Sequence, residues 1–333
     1  MKQHSTENNV SIIYELDNAC DFELSQNLEC IESLFQSIEF YINKFNAIVQ
    51  LLIVSETNLD LNTIKLIECF QEKLSGKFQF QVELLPESTY FEKKFHGIAK
   101  CCFENVLLAD SDCFYESNWV EQLIHELQFD SQLIWGKTFA YKDNRKLANL
   151  MRYIWQFPIN ENDPLNAAII HRWGNNFGLK KNLLTQYPFE GSSHFGKNTR
   201  GDLTQWVNQM AENKPLYKVV NTHAYHRQIE TFTQFYLRMY QAGKDFGHLT
   251  FDATINYPRY FLTLYLMNIS QLPETQKISF KLMRLAYFKN ELSILNLAKA
   301  VLLIYLGAAS YYYGVVISRL SMVENLISQT NHQ

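Results

Sequence analysis

Asn105-Val106-Leu107-Leu108-Ala109-Asp110-Ser111-Asp112 is a short apolar run that stops on two carboxylates. An unbroken apolar stretch of this length reads as a strand buried on both faces, as in a parallel sheet. The chain on its N-terminal side repeats the theme. Val10–Tyr14 and Ala47–Val54 are further apolar runs, and Phe78–Leu84 alternates as a strand. Between them, Leu28, Ile31, Leu34, Phe35, Ile38 and Ile42 recur at helical spacing, as do residues of Leu61–Leu74 and Tyr90–Cys102. Strands alternating with helices predict βαβ units and a mostly parallel, Rossmann-like sheet. Ligands of such sheets sit at the carboxyl ends of the strands, where Asp110 and Asp112 fall. In extended chain, residues two apart face one side, so the spacing predicts both carboxylates aimed at one point. Paired hard oxygens there suit Mg²⁺ or Mn²⁺ as the cofactor, a cation able to neutralise a diphosphate.

Beyond Asp112 the pattern predicts a helix over Trp119–Leu127, a strand over Leu133–Phe139 and a helix over Asn144–Trp155. Residues 156–200 hold Pro158, Pro164 and Pro188 and read as loop. Asp202–Glu212 reads as a helix, Leu216–Thr222 as a strand and Ile229–Ala242 as a helix. From Tyr257 only helical spacing remains. The expected division is an α/β catalytic domain over 1–255 and a helical region over 256–333. In the latter, Lys277, Lys281 and Arg284 share one edge of an apolar helix, which suits either a membrane surface or a solvated face. Ala300–Ser318 carries no charge but is short for a spanning helix; its glycines and tyrosines suit a helical hairpin or an interfacial dip.

A net charge of −4 gives no basic field for nucleic acid, so that partner class is excluded. The cysteines Cys20, Cys30, Cys69, Cys101, Cys102 and Cys113 form no C-x-x-C pair, and they read as reduced thiols. Met1–Asn9 is polar, without the apolar stretch of a signal peptide, which predicts a cytoplasmic protein.

The strand, Asp-x-Asp and helix opening near a Trp resemble the inverting family 2 glycosyltransferases of GT-A fold. Lys94-Phe95-His96-Gly97 is similar to that family's basic-Asn-x-Gly segment, with Phe95 where Asn is usual. Gly174–Lys181 resembles its acceptor-side strand and basic turn. Arg200-Gly201-Asp202-Leu203 resembles the segment bearing the catalytic base, with Gly201 where Glu is usual. His223–Arg227, followed by Arg238 and Gly243, looks like its downstream histidine and basic helix. The processive Gln-x-x-Arg-Trp signature is missing, which favours transfer of a single sugar.

The resemblance implies a GT-A fold with a helical C-terminal extension. It implies transfer from a UDP- or GDP-sugar to a glycan or lipid-linked acceptor. Asp202 would be the catalytic base, and its competing reading is a helix N-cap. Asp110, Asp112 and His223 would hold the metal, with His226 as the competing histidine. Glu15, Glu56, Lys94 and Asp110 would bind the donor, and Trp173, Asn175 and Asn176 the acceptor. Trp206 reads as core. The C-terminal helices would hold the protein peripherally on the inner face of the plasma membrane. Two other readings stand beside this one. One is a non-catalytic, membrane-associated relative that binds nucleotide or glycan. The other is a sugar-phosphate nucleotidylyltransferase, disfavoured because residues 15–23 hold no Gly or Arg for a phosphate loop.

Overall fold

The computed structural model describes residues 8–16, 24–74, 76–86, 88, 90–128, 132–142, 150–151, 174–188, 206, 217–249 and 293–330. Asp202, Trp173 and the Lys277–Arg284 helix of the sequence reading lie outside them. The described chain runs β1 (Val10–Glu15), α1 (Leu24–Phe45), β2 (Val49–Ser55), α2 (Leu61–Lys73), β3 (Phe78–Leu84), α3 (Tyr90–Lys100) and β4 (Asn105–Asp110). Then come β5 (Cys113–Tyr115), α4 (Trp119–Gln128), β6 (Leu133–Ala140), β7 (Asn176–Lys180), α5 (Leu183–Gln186) and β8 (Tyr217–His226). Two helices follow, α6 (Phe232–Leu249) and α7 (Ile294–Thr330).

The expected α/β class is what forms. One eight-stranded sheet has the order β3-β2-β1-β4-β7-β6-β8-β5. Strands β1 to β4 pair in parallel, and β7 then joins β4 antiparallel. Strand β5, too short to announce itself in the sequence, forms by antiparallel pairing with β8.

The inner strands of the parallel half, β1, β2 and β4, are largely apolar and buried along their whole length because each face meets its own helices, whereas the edge strand β3 alternates. Val10, Ile12 and Tyr14 of β1 join Leu34, Ile38 and Ile67 of α1 and α2 in one core cluster. Ile13, one residue out of phase, joins Phe91, Phe95 and Ile98 of α3 on the other face. Each such fully buried side chain contributes about 1.5–3 kcal/mol relative to exposure. Trp206 belongs to the α3 cluster, as the core reading requires. Its ring meets Phe95 edge-on at 5.0 Å, and its Nε1 donates to the Tyr187 carbonyl at 2.7 Å.

Gly97 lets α3 lie close on the sheet. A Cβ there would stand 2.9 Å from Ile13 Cγ2. That close seat brings the buried Lys93 and Lys94 of α3 to the carboxyl ends of the strands.

The described residues divide into two compact units, the first holding the sheet and α1–α5, the second α6 and α7. Helix α6 thus packs with α7, although the sequence reading set it within 1–255. In this second unit α7 runs unbroken through Gly307 and Gly314, where the sequence admitted a hairpin. A Cβ at Gly314 would stand 2.1 Å from the Tyr240 carbonyl oxygen, and one at Gly243 1.8 Å from that of Tyr311. The glycines let the two backbones touch. Ser310 Oγ adds a hydrogen bond to the Tyr236 carbonyl at 2.7 Å.

Candidate metal and donor site

Asp110 ends β4 in register with Glu15 at the end of β1, and both are buried. Tyr90 and Lys94 lie one turn apart on α3 and point at Asp110 together. The Lys94 ammonium donates to Asp110 Oδ1, to the Tyr90 hydroxyl at 2.7 Å and to the Gly174 carbonyl. An ammonium has three N–H donors, so Lys94 is saturated within the protein. The Tyr90 hydroxyl donates in turn to Asp110 Oδ2. Both oxygens of this carboxylate are therefore engaged by α3. Burial pushes the Asp110 carboxyl above its usual range, Lys94 pulls against that, and the nearby Asp112 charge adds to the rise. Next to this pair, Lys93 Nζ meets Glu56 Oε1 at 2.7 Å. Glu15, Glu56, Lys94 and Asp110 thus all lie at the carboxyl-end side of the parallel strands, in two separate ion pairs and one register neighbour.

Asp112 goes elsewhere. The chain leaves the strand after Asp110 and turns, so the two-residue alternation stops. Ser111 fixes the turn, its N–H donating to the Glu15 carbonyl at 3.0 Å and its Oγ to the Leu16 carbonyl at 3.1 Å. Asp112 is fully buried beside β5. Cys113 pairs with His226 across the β5–β8 ladder. That register brings His226 Nε2 to 3.1 Å from Asp112 Oδ2. Cys113 Sγ lies 3.6 Å from Asp112 Oδ1. Burial, then the charges of Asp112 and Asp110, push the Cys113 thiol far up, which keeps it protonated. Among the described residues the buried Tyr14 hydroxyl has no hydrogen-bond partner; burial first, then Cys30, Cys113 and Asp112, raise it too.

His223, three residues before His226 on β8, faces the other way. Its Nδ1 lies 3.1 Å from Glu116 Oε1 and its Nε2 3.3 Å from Asn221 Oδ1. The described fold brings His226, rather than His223, to Asp112. A carboxylate oxygen and an imidazole nitrogen this close, at a strand terminus, fit an Mn²⁺-type cation.

Asn176 is a knot inside the sheet. Its Oδ1 accepts from Trp119 Nε1 at 2.8 Å, and its Nδ2 donates to the carbonyls of Lys137 at 2.9 Å and Thr222 at 3.1 Å. Asn175 Oδ1 accepts from Thr138 Oγ1 at 3.0 Å. The Tyr115 hydroxyl donates to the Asn175 carbonyl at 3.0 Å and accepts from the Asp110 N–H at 2.7 Å. Sequence reasoning passed over Tyr90 and Tyr115. The first was signalled only by its spacing of four from Lys94.

No protein-family model matches this chain. No curated protein sequence matches it either. Among solved structures it is similar to the mannosyltransferase PcManGT from Pyrobaculum calidifontis in complex with GDP-Man and Mn²⁺. The identity there is 12%, the TM-score 0.49, and the match covers 94% of this chain and 87% of that one. It is also similar to residues 1–349 of S. aureus TarS, at 12% identity and a TM-score of 0.44, over 95% of this chain and 92% of that one. The same TarS fragment in complex with UDP matches at 12% identity with a TM-score of 0.43.

Proposed function

We propose that this chain is a glycosyltransferase that moves one sugar from a nucleotide-sugar donor to a glycan or lipid-linked acceptor, with inversion at the anomeric carbon. The observation that carries this reading is the Asp112–His226 pair, 3.1 Å apart just past the carboxyl end of β4, beside the β5–β8 ladder. The Mn²⁺ or Mg²⁺ that these residues would hold supplies charge neutralisation to a nucleoside diphosphate leaving group. Asp110 is bound into the fold through Lys94 and Tyr90, and its part is to fix the strand terminus from which Asp112 projects. Glu15 and Glu56 flank that terminus on the donor side, where their carboxylates can accept hydrogen bonds from a base or ribose of a UDP- or GDP-sugar. Asp202 would take the proton of the acceptor hydroxyl as that oxygen attacks. Trp173 would stack on the acceptor sugar.

The test is a thermal-shift screen of nucleoside diphosphates with and without Mn²⁺. Linkage requires a metal-dependent rise in melting temperature for the right nucleotide. Asp112→Ala is expected to abolish both that rise and donor hydrolysis. A full response in Asp112→Ala overturns the reading.

Membrane association is the second part of the proposal. By length and composition, Ile294–Ile317 of α7 is apolar enough to cross a membrane, and half of it is buried. Leu302, Leu306 and Tyr313 of α7 stay exposed. Peripheral attachment to the inner face of the plasma membrane predicts that the full chain sediments with anionic vesicles. Recovery wholly in the supernatant removes this part.

A further inference from the structure

Among the described residues, Asp112, Cys113 and His226 bring one ligand atom each to within 4.8 Å of one another. The set is one carboxylate oxygen, one thiol sulfur and one imidazole nitrogen, and its chemistry exceeds what a Mg²⁺ or Mn²⁺ site asks for. Those cations take oxygen and nitrogen ligands in six-coordinate shells and gain little from sulfur. Zinc takes all three donor types in a tetrahedron, with bonds of about 2.0–2.1 Å to N, about 2.0–2.2 Å to O and about 2.3 Å to S. A regular tetrahedron on those bonds sets N and O about 3.4 Å apart and S and O about 3.6 Å apart. Here His226 Nε2 stands 3.1 Å from Asp112 Oδ2 and Cys113 Sγ 3.6 Å from Asp112 Oδ1, so the two donors approach different oxygens of one carboxylate, and a small rotation of that group is needed to set one oxygen between them.

We infer that Asp112, Cys113 and His226 form a three-donor site for a thiophilic divalent cation of the zinc class, with Cys113 as a thiolate ligand. The inference rests on the reading of Asp112 and His226 as a cation site and adds Cys113 to it. As the S–Zn bond forms, the Sγ–H proton leaves to solvent, and nothing is oxidised or reduced. Backbone geometry already favours the cluster. Cys113 follows Asp112 directly, and the β5–β8 register fixes His226 opposite Cys113. Three protein donors leave a tetrahedral ion one open position. A diphosphate that takes two positions on the metal must then force five-coordination or displace a protein donor, which weakens its binding. Zinc therefore competes with nucleotide binding supported by Mn²⁺, and the same residues that admit the working metal also admit an inhibitory one.

The test uses the metal-stripped full chain and Co²⁺ as the spectroscopic substitute for Zn²⁺. One equivalent of Co²⁺ is expected to give intense visible bands of a tetrahedral ion and a near-ultraviolet thiolate-to-cobalt charge-transfer band. One equivalent of Zn²⁺ bleaches both. Cys113→Ser removes the charge-transfer band, while Cys101→Ser, at another buried thiol, leaves it. A second measurement needs no variant: X-ray absorption of the zinc-loaded wild-type chain is expected to show one sulfur at about 2.3 Å. A shell of oxygen and nitrogen only, or a charge-transfer band at full strength in Cys113→Ser, overturns the inference. If Mn²⁺-dependent nucleotide stabilisation is found with no thiolate band, this inference fails and the glycosyltransferase reading stands. A thiolate band in a chain that answers to no nucleotide does the reverse.

Discussion

Asp110 and Asp112 are two residues apart, and the fold treats them differently. Asp110 is gripped by α3, with a saturated ammonium on one oxygen and a tyrosine hydroxyl on the other. Asp112 turns toward the antiparallel edge of the sheet, where a histidine and a thiol stand opposite it. The first arrangement ties each oxygen of the carboxylate to helix α3. The second offers donors that a cation can draw together. Two carboxylates of one Asp-x-Asp motif thus meet different partners, set by the neighbours on each side.

The largest expected effect tests the Asp110 side. Lys94→Met leaves a buried carboxylate without its cation and is expected to cost about 3–5 kcal/mol in urea unfolding. The double variant Lys94→Met with Asp110→Asn removes the uncompensated charge and is expected to recover much of that loss. No recovery would mean that Lys94 acts through Gly174 rather than through Asp110. Next comes the Asp112 side. His226→Ala is expected to weaken Mn²⁺ binding about 10–100-fold by titration calorimetry, while His223→Ala leaves it within about twofold. Equal losses in both would erase the distinction between the two histidines. Tyr90→Phe, a milder probe of the first carboxylate, removes one hydrogen bond to a charged group and is expected to cost about 1.5–3 kcal/mol.

The smallest effect calibrates the comparison with an exposed carboxylate. Asp60 caps α2, its Oδ1 accepting from the N–H groups of Asn62 and Thr63 at 2.9 and 3.0 Å. Burial nudges its carboxyl up, but the hydrogen bonds from Thr63 and Asn62 outweigh that and hold it below its usual 3.8. The stability it contributes is thus fully present above pH 3.8 and is lost as pH falls through the lower folded value. Asp60→Ala is expected to cost about 1 kcal/mol at neutral pH and to shrink the loss of stability on acidification below that point.

Where the sequence was legible, burial on both faces made it so. Strands β1, β2 and β4 are near-continuous apolar runs and β3 alternates, and their observed limits lie within a residue or two of those stretches. Gly97, Lys94 and the acidic strand ends were readable because local spacing sets their positions. What could not be read was set by register. His223 and His226 offer the same chemistry, and only the pairing of Cys113 with His226 brings one of them to Asp112. Asn176 has the composition of a sugar-binding residue, but two carbonyls from neighbouring strands take both its amide hydrogens and Trp119 donates to its oxygen. Strand β5 has three residues and no period of its own. The alternation from which the sequence argued two carboxylates on one side does not reach Asp112, because the strand ends at Asp110 and the chain turns at Ser111.

The contact between α6 and α7 has a consequence for anyone shortening this protein. Phe235, Met239 and Gly243 of α6 are buried, and Gly307 and Tyr311 of α7 lie against the first two and the last. Cutting the chain before Ile294 would strip that cover and leave a glycine-bearing groove and two large apolar side chains facing water. The C-terminal helix is thus a wall of its own unit rather than a detachable tail. A soluble fragment is better sought by changing the outward residues Leu302, Leu306 and Tyr313 to polar ones than by truncation.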